Sequence, residues 1–411
     1  MLALVLQAGR RVAAALAYRD FRLLWVGALL SSIGTWMQKV AQAWLIVSLT
    51  TTASAFYLGL DSFVGEVPIL LFTLIGGVVA DRANRRHLLI VSQCVQMTAA
   101  FTLATLVLTD NIHIWQILAL SFMTGIAQAF GGPAYQSLIP SLVPKETLPN
   151  AIALNSIQFN LARVIGPIIA GYALLWFGMV ACFGLNGLSF LFVIAAISAL
   201  HVTHIPATGP ANMRAQLKGG LQYVRNQPQL RTLTILGFFS AFLGLPLLTF
   251  LPVITKDVFQ QDVGLYTQFM TLAGAGAVLG ALSVAWIGKH RHMGMMLLIL
   301  QAILGVITVS FSLSTTLWLS KLLLFAGGAM LVTCFSMTTS LVQLLAPQEL
   351  RGRVVSIYMV AFRGGSPLGG LISGWLVTQM GSAPYVLALN GGLLTLVALF
   401  AMTRDHGLRE L

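Results

Sequence analysis

The chain has 411 residues, of which 57% are hydrophobic and 8% charged, and its mean hydropathy is +0.88. Soluble domains carry roughly 25% charged residues, so the composition excludes an ordinary soluble enzyme and points to an integral membrane protein. The formal net charge of +12 is assigned to cytoplasmic loops rather than to nucleic-acid binding, because Lys and Arg accumulate on that side of a membrane.

Backbone groups in lipid must be satisfied within their own segment, so long apolar runs mean helices. The length suits about a dozen spans of about 20 residues. Residues 1–19 place their charge after their apolar stretch, the reverse of a secretory signal, and are read as a short amphipathic helix on the cytoplasmic surface. Apolar runs then fall near 22–48, 56–80, 87–109, 114–141, 148–176, 180–203, 231–255, 264–288, 293–314, 317–345, 352–378 and 383–403. The expected fold class is an all-α membrane protein with twelve transmembrane helices.

One set of helix ends carries Arg10, Arg11, Arg19 and Arg22, then Arg82, Arg85 and Arg86, Lys145, Arg214, Lys218, Arg225 and Arg231, Lys289 and Arg291, Arg351 and Arg353, Arg404 and Arg409. The opposite ends carry little beyond Lys256 and Lys321. Both termini are therefore expected in the cytoplasm. The longest polar break, 204–230, separates an N-terminal half, 1–203, from a C-terminal half, 231–411. Within it Leu217, Leu221 and Val224 recur at helical spacing beside Lys218 and Arg225, which predicts an interfacial helix in a cytoplasmic linker.

The halves repeat. One constant offset relates Phe122 to Phe325, Gly125 to Gly328, Pro144 to Pro347 and Gly178 to Gly381. A slightly shorter offset relates "ARVIGP" (Ala162–Pro167) to "FRGGSP" (Phe362–Pro367), and Asn186-Gly187 returns as Asn390-Gly391. Duplicated six-helix units in parallel orientation are a known transporter architecture, with the site between the halves.

"GVVADRANRR" (Gly77–Arg86) resembles the signature of the major facilitator superfamily between its second and third helices. Gly77, Asp81, Arg82, Arg85 and Arg86 match, and Asn84 stands where the family has Gly, a residue that tolerates the left-handed turn conformation. "ARVIGPIIAG" is similar to the family's antiporter signature, through Gly166, Pro167 and Gly171, with Pro367 at the equivalent place in the second half. Small residues there allow close helix approach, and Pro bends the helix. "GTWMQKVAQAWLIVSLT", "GGPAYQSLIPSLVPKETLPNAIALNS" and "NLARVIGP" resemble the bacterial branch of enterobactin-type siderophore and macrolide exporters. The resemblance spans essentially the whole chain. It implies export driven by a proton gradient, with no bound cofactor, a small-molecule substrate, and a monomer in the bacterial cytoplasmic membrane. It also implies a gating role for Asp81 and Arg82, with Asp81 held near Arg351, Arg353 and a positive helix end. One departure stands out: "SFMT" precedes Gly125 where many proton-coupled relatives carry a buried Arg.

Four charges lie well inside the predicted helices: Lys39, Glu66, Arg163 and Arg363. Each costs roughly 2.5–3.5 kcal/mol at the bilayer centre on insertion scales unless it finds a partner or a wet cavity. Thr35, Gln38, Lys39 and Gln42 share one arc of the first helix and form a polar stripe. Lys39 lies roughly 13 Å and Glu66 roughly 15 Å below the outer ends of their helices at 1.5 Å per residue, so an ion pair is feasible. Protonating Glu66 would break it and couple proton entry to substrate exit. Two alternatives stay open: Lys39 snorkelling to the interface, and a neutral Glu66 carboxyl bonded to a carbonyl. Asp61, roughly 8 Å deep, points about 140° away from Glu66 and is read first as an interfacial residue, with proton coupling as the lesser alternative. It shares a face with Glu66 only if Gly65 and Pro68 break the helix.

In the fifth helix Ser156, Asn160 and Arg163 share one arc. With Arg363 at the equivalent place, the two guanidiniums either bind anionic groups of a substrate or tie broken helices together near Pro167 and Pro367. Trp36, Trp44, Phe63, Phe242 and Tyr358 are candidate cavity aromatics. Cys94, Cys182 and Cys334 form no spaced pair, and His201 and His204 lack a third ligand, so neither a disulfide framework nor a metal site is expected. No G-x-x-x-x-G-K-[ST] occurs. The loops offer no nucleophile with a nearby base, so the chain is not read as an enzyme.

Overall fold

The computed structural model describes residues 14–50, 53–201, 213–287 and 292–409, and among these every regular element is a helix. After a 3-10 turn at Ala14–Ala17 come α1 (Arg19–Leu49), α2 (Ser54–Arg82), α3 (Arg85–Leu108), α4 (Ile114–Leu138) and α5 (Leu148–Ser198). The linker helix α6 (Met213–Asn226) leads to α7 (Pro228–Gly244), α8 (Pro246–Thr249) and α9 (Leu251–Asp257). The rest is α10 (Val263–Ile287), α11 (Met293–Leu313), α12 (Leu317–Leu345), α13 (Arg351–Met380), α14 (Ala383–Arg404) and the short α15 (His406–Arg409). The amphipathic helix expected at 1–19 lies mostly outside the described residues.

Nine helical stretches among the described residues are long and apolar enough to cross a bilayer. α1 and α13 are not among them: α1 carries the Lys39 stripe, and α13 carries Arg351, Arg353 and Arg363. α5 counts once although it runs for 51 residues. A straight helix of that length would be about 76 Å long, against a hydrocarbon core of about 30 Å. Gly178, at φ 73°, breaks it into two arms. The repeat-related Gly381 ends α13 at φ 67°. Both glycines supply the left-handed backbone that a side chain resists. The expected single helix 231–255 is instead three pieces, α7 to α9. Pro246 opens α8 and Pro252 is the second residue of α9, places where the missing N–H of a proline costs no helical bond. Pro68, Pro133, Pro167 and Pro367 remain inside continuous helices.

The chain divides into two compact units, Met1–Leu45 with Val64–Thr208, and Ile46–Phe63 with Gly209–Leu411. The end of α1 and the first residues of α2 thus belong to the second unit, although the polar break alone placed them in the N-terminal half. Within that unit Gly59 lies on the Gly370 carbonyl and Gly374 lies close to the Ala55 carbonyl. Lys256 Nζ donates to the Val47 carbonyl at 2.8 Å.

Lipid offers no hydrophobic drive between helices, so contact area comes from close backbone approach at small residues. In the first unit α4 sits on α2, where Gly125 meets the Gly65 carbonyl and Gly76 meets the Ala129 carbonyl. In the second, α10 and α12 repeat this, with Gly276, Gly280 and Gly328 against the carbonyls of Phe325, Ala329 and Ala273. Gly365 and Gly369 bring α13 onto the backbone of α7 at Phe238 and Phe242. The predicted linker helix is present as α6. Its Gly220 packs on Arg353 and Ile357 and its Val224 is buried, while Leu221 is exposed.

The signature glycine Gly77 has open space around it, and its neighbour Gly76 is the one pressed against backbone. Gly76→Ala is expected to lower the melting temperature in detergent, by overpacking worth about 1–3 kcal/mol. Gly77→Ala is expected to leave it unchanged or raise it, since Ala is the better helix former by roughly 0.5–1 kcal/mol.

Candidate functional site

The intramembrane cations of the first unit gather around one indole. Trp36 on α1 presents its Cβ to Gly166 of α5, a position with no room for a side chain. That contact is what the Gly166-Pro167 motif provides, and both residues are buried, as is Gly171. Lys39 Nζ stands 5.2 Å from the Trp36 ring centroid and Arg163 Cζ 5.5 Å from it. Phe159 meets the same ring edge-on at 6.2 Å. A cation over an indole gains about 0.5–2 kcal/mol, less than the insertion cost of either charge.

Among the described residues Lys39 and Glu66 form no ion pair, a correction to the pairing that their depths made feasible. Lys39 is exposed, and its Nζ lies beside the ring of the residue one turn earlier in α1. Glu66 is half-buried. α2 continues unbroken through Gly65 and Pro68, so Asp61 and Glu66 do not share a face. Asp61 belongs to the second unit and Glu66 to the first.

The rest of the α1 stripe is tied to other helices. Gln38 Oε1 accepts from Asn186 Nδ2 at 2.6 Å, and Gln42 Nε2 donates to Ser121 Oγ at 2.9 Å. Thr35 bonds the Ser31 carbonyl of its own helix. On α5, Asn160 Nδ2 donates to the Ser156 carbonyl and Ser156 Oγ to the Ile152 carbonyl, so both stay on the exposed face they share with Phe159 and Arg163. The opposite face carries Gln158, whose Nε2 donates to Ala28 O at 3.0 Å and Ser32 Oγ at 2.7 Å. Gln158 and Asn186 were invisible as structural bonds in the sequence. Each is a lone amide in an apolar run, and only its burial shows that it needs a partner.

The two Arg–Gly–Pro repeats are not equivalent in side-chain role. Arg163 is half-buried over Trp36, whereas Arg363 is exposed and has no ion-pair partner among the described residues. The second unit places aromatics instead: Phe238 stacks on Phe242 at 5.5 Å, and Phe335 lies 4.4 Å from Phe362. Tyr358 is buried against Gly237 rather than facing open space.

The α2–α3 turn also departs from expectation. Asn84 is not left-handed: at φ −65° and ψ 107° it is the N-cap of α3, and its side chain accepts from the Arg86 and His87 amides. Arg85 donates to the carbonyls of Ala80 and Ser137. Arg86 donates to those of Leu200 and Ser198, at the C-terminal end of α5, where a cation complements the helix dipole. These two arginines staple helix ends. Arg82 and Arg351 are exposed and Arg353 is half-buried beneath α6. The Asp81 latch lies outside the described residues, since the Asp81 side chain is not among them.

Long apolar helices that cross at glycines and bond one another through amide side chains are the architecture of a multi-span membrane protein. A family profile described as a transmembrane secretion effector matches residues 12–410, and the chain belongs to this family of major facilitator superfamily transporters. It is 28% identical to the staphyloferrin A transporter of Staphylococcus aureus, over 83% of this chain and 85% of the relative. It is 26% identical to the multidrug efflux pump Tap of Mycolicibacterium fortuitum and 24% identical to macrolide efflux protein A of Streptococcus pyogenes, each over 92% of this chain and 94% of the relative. A bacterial homologue of the human lysosomal transporter Spinster, inward-facing and occupied, superposes with a TM-score of 0.74 at 14% identity, covering 94% of this chain and 96% of that one. The nucleoside transporter NupG does so with a TM-score of 0.71 at 15% identity, over 93% and 98%. The chain is a transporter, not an enzyme.

Asn84→Ala is expected to cost about 1 kcal/mol of stability and Asn84→Gly only a few tenths, the pattern of an N-cap. Arg86→Met, which leaves two helix-end carbonyls unpaired, is expected to cost about 1–3 kcal/mol. Thermal unfolding of the purified protein reads all three.

Proposed function

We propose that the protein exports a small amphipathic molecule across the bacterial cytoplasmic membrane by proton antiport, exposing one site alternately to the two sides. The observation that carries this reading is Glu66. A half-buried carboxylate deep in an apolar helix, without a fixed ion pair to Lys39, is suited to load and release a proton. The multidrug and macrolide efflux relatives support export, and the staphyloferrin A transporter supports a small-molecule substrate.

In this reading α1, α13 and the two arms of α5 join the apolar stretches to make twelve spans. Both termini lie in the cytoplasm, following the Lys and Arg distribution. The working unit is a monomer in the lipid bilayer, its driving force is the proton gradient, and it has no cofactor and no nucleic-acid partner. Loading Glu66 on the outer side and unloading it on the inner side would bias the conformational exchange. An importer or facilitator is the alternative.

Glu66→Gln in proteoliposomes is expected to abolish flux driven by a pH gradient while substrate counterflow persists. Unchanged gradient-driven flux would remove Glu66 as the coupling acid. Accumulation along, rather than against, the direction of proton entry would replace export by import.

A further inference from the structure

We infer that Lys39 and Arg163, set on Trp36, form a binding site for the carboxylate of an organic anion whose apolar part lies on the Trp36–Phe159 pair. The inference rests on the transporter reading above and names the substrate class.

Three observations carry it. Both cations address one ring, at 5.2 and 5.5 Å from its centroid. No acidic side chain among the described residues pairs with either, although Glu66 lies in the same unit. The α5 face that bears Arg163 also bears Ser156, Phe159 and Asn160, at spacings of three and four residues. Phe159 is exposed, Ser156 is exposed and Asn160 is half-buried. A face with a guanidinium, an amide and a hydroxyl is a poor match for hydrocarbon and a good one for a wet cavity.

The site is also built rather than incidental. Trp36 is fixed by its Cβ against Gly166, and the neighbouring Gln38 is held by Asn186 at 2.6 Å. A ring held from behind offers its π surface to the two cations and leaves their N–H groups to a ligand. The planar guanidinium fork matches a carboxylate with two parallel hydrogen bonds, and the ammonium adds a second charge. An aromatic or apolar body attached to that carboxylate has the indole and the Phe159 ring to rest on. The repeat-related Arg363 has no such ring contact among those observed, so the anion site belongs to the first unit.

The test uses radiolabelled pyrenebutyrate with the full-length protein in lipid nanodiscs and no ion gradient, competed by pyrenebutanol and by pyrenebutylamine. Pyrenebutyrate is expected to bind saturably and at least about tenfold more tightly than the alcohol or the ammonium, the scale of a charge-assisted hydrogen bond. Arg163→Gln and Lys39→Gln are each expected to weaken carboxylate binding by about tenfold while leaving the alcohol's affinity unchanged. Retained affinity for the alcohol shows that the variants fold. If Arg163→Gln does not fold, Arg163→Lys, which keeps the charge but loses the fork, takes its place with an intermediate loss expected. Equal binding of acid, alcohol and ammonium by the wild type would overturn the inference, as would an intact preference for the acid in both variants. The export reading fails separately: a carboxylate preference in nanodiscs with no gradient-driven flux of any compound in proteoliposomes removes export and keeps the site. Flux of uncharged compounds without a carboxylate preference removes the site alone.

Discussion

Charge inside hydrocarbon must be answered, and the arrangement of these helices is the answer. Lys39, Glu66 and Arg163 lie in helices that otherwise suit lipid, and a sum of unanswered insertion costs would be comparable to the stability of a whole domain. Among the described residues no ion pair cancels them. The fold brings two cations to one indole, keeps the acid half-buried, and groups hydroxyls and amides on the same helix faces.

Close helix approach makes that grouping possible. Gly166 admits the Trp36 Cβ, so α1 and α5 stand near enough for a residue of one to sit under a guanidinium of the other. Gly125 on Gly65 sets α4 against α2 in the same unit, and the Gln42–Ser121 bond crosses from α1 to α4. Small residues therefore do two things here: they supply van der Waals contact that lipid cannot supply, and they set the positions of polar groups that a looser bundle would leave apart.

The internal repeat is preserved in backbone and abandoned in side chains. Gly178 and Gly381 both take a positive φ at equivalent breaks, and the glycine crossings of α2 with α4 recur between α10 and α12. Around Arg163 and Arg363 the surroundings diverge, with Trp36 and Lys39 near one and a set of phenylalanines elsewhere in the other unit. Backbone geometry is constrained by packing and the bilayer in both halves alike. The polar side chains are not held by that constraint, and they differ between the halves.

Membrane class, helical runs, repeat and family are all legible in the amino-acid sequence. Each follows from local composition, hydropathy and short motifs, which a single strand of text displays. The intramembrane charges are legible too, because a charged letter in an apolar run is visible without coordinates. Their partners are not. Lys39 and Glu66 match in depth but do not pair, since depth along two helices leaves their rotation free. Asn84 caps α3 instead of turning left-handed, and Arg86 reaches helix-end carbonyls more than a hundred positions away in the chain. Gly76 rather than Gly77 carries the backbone contact, because one residue turns a helix by about 100° and only the packed neighbour tells which side is crowded.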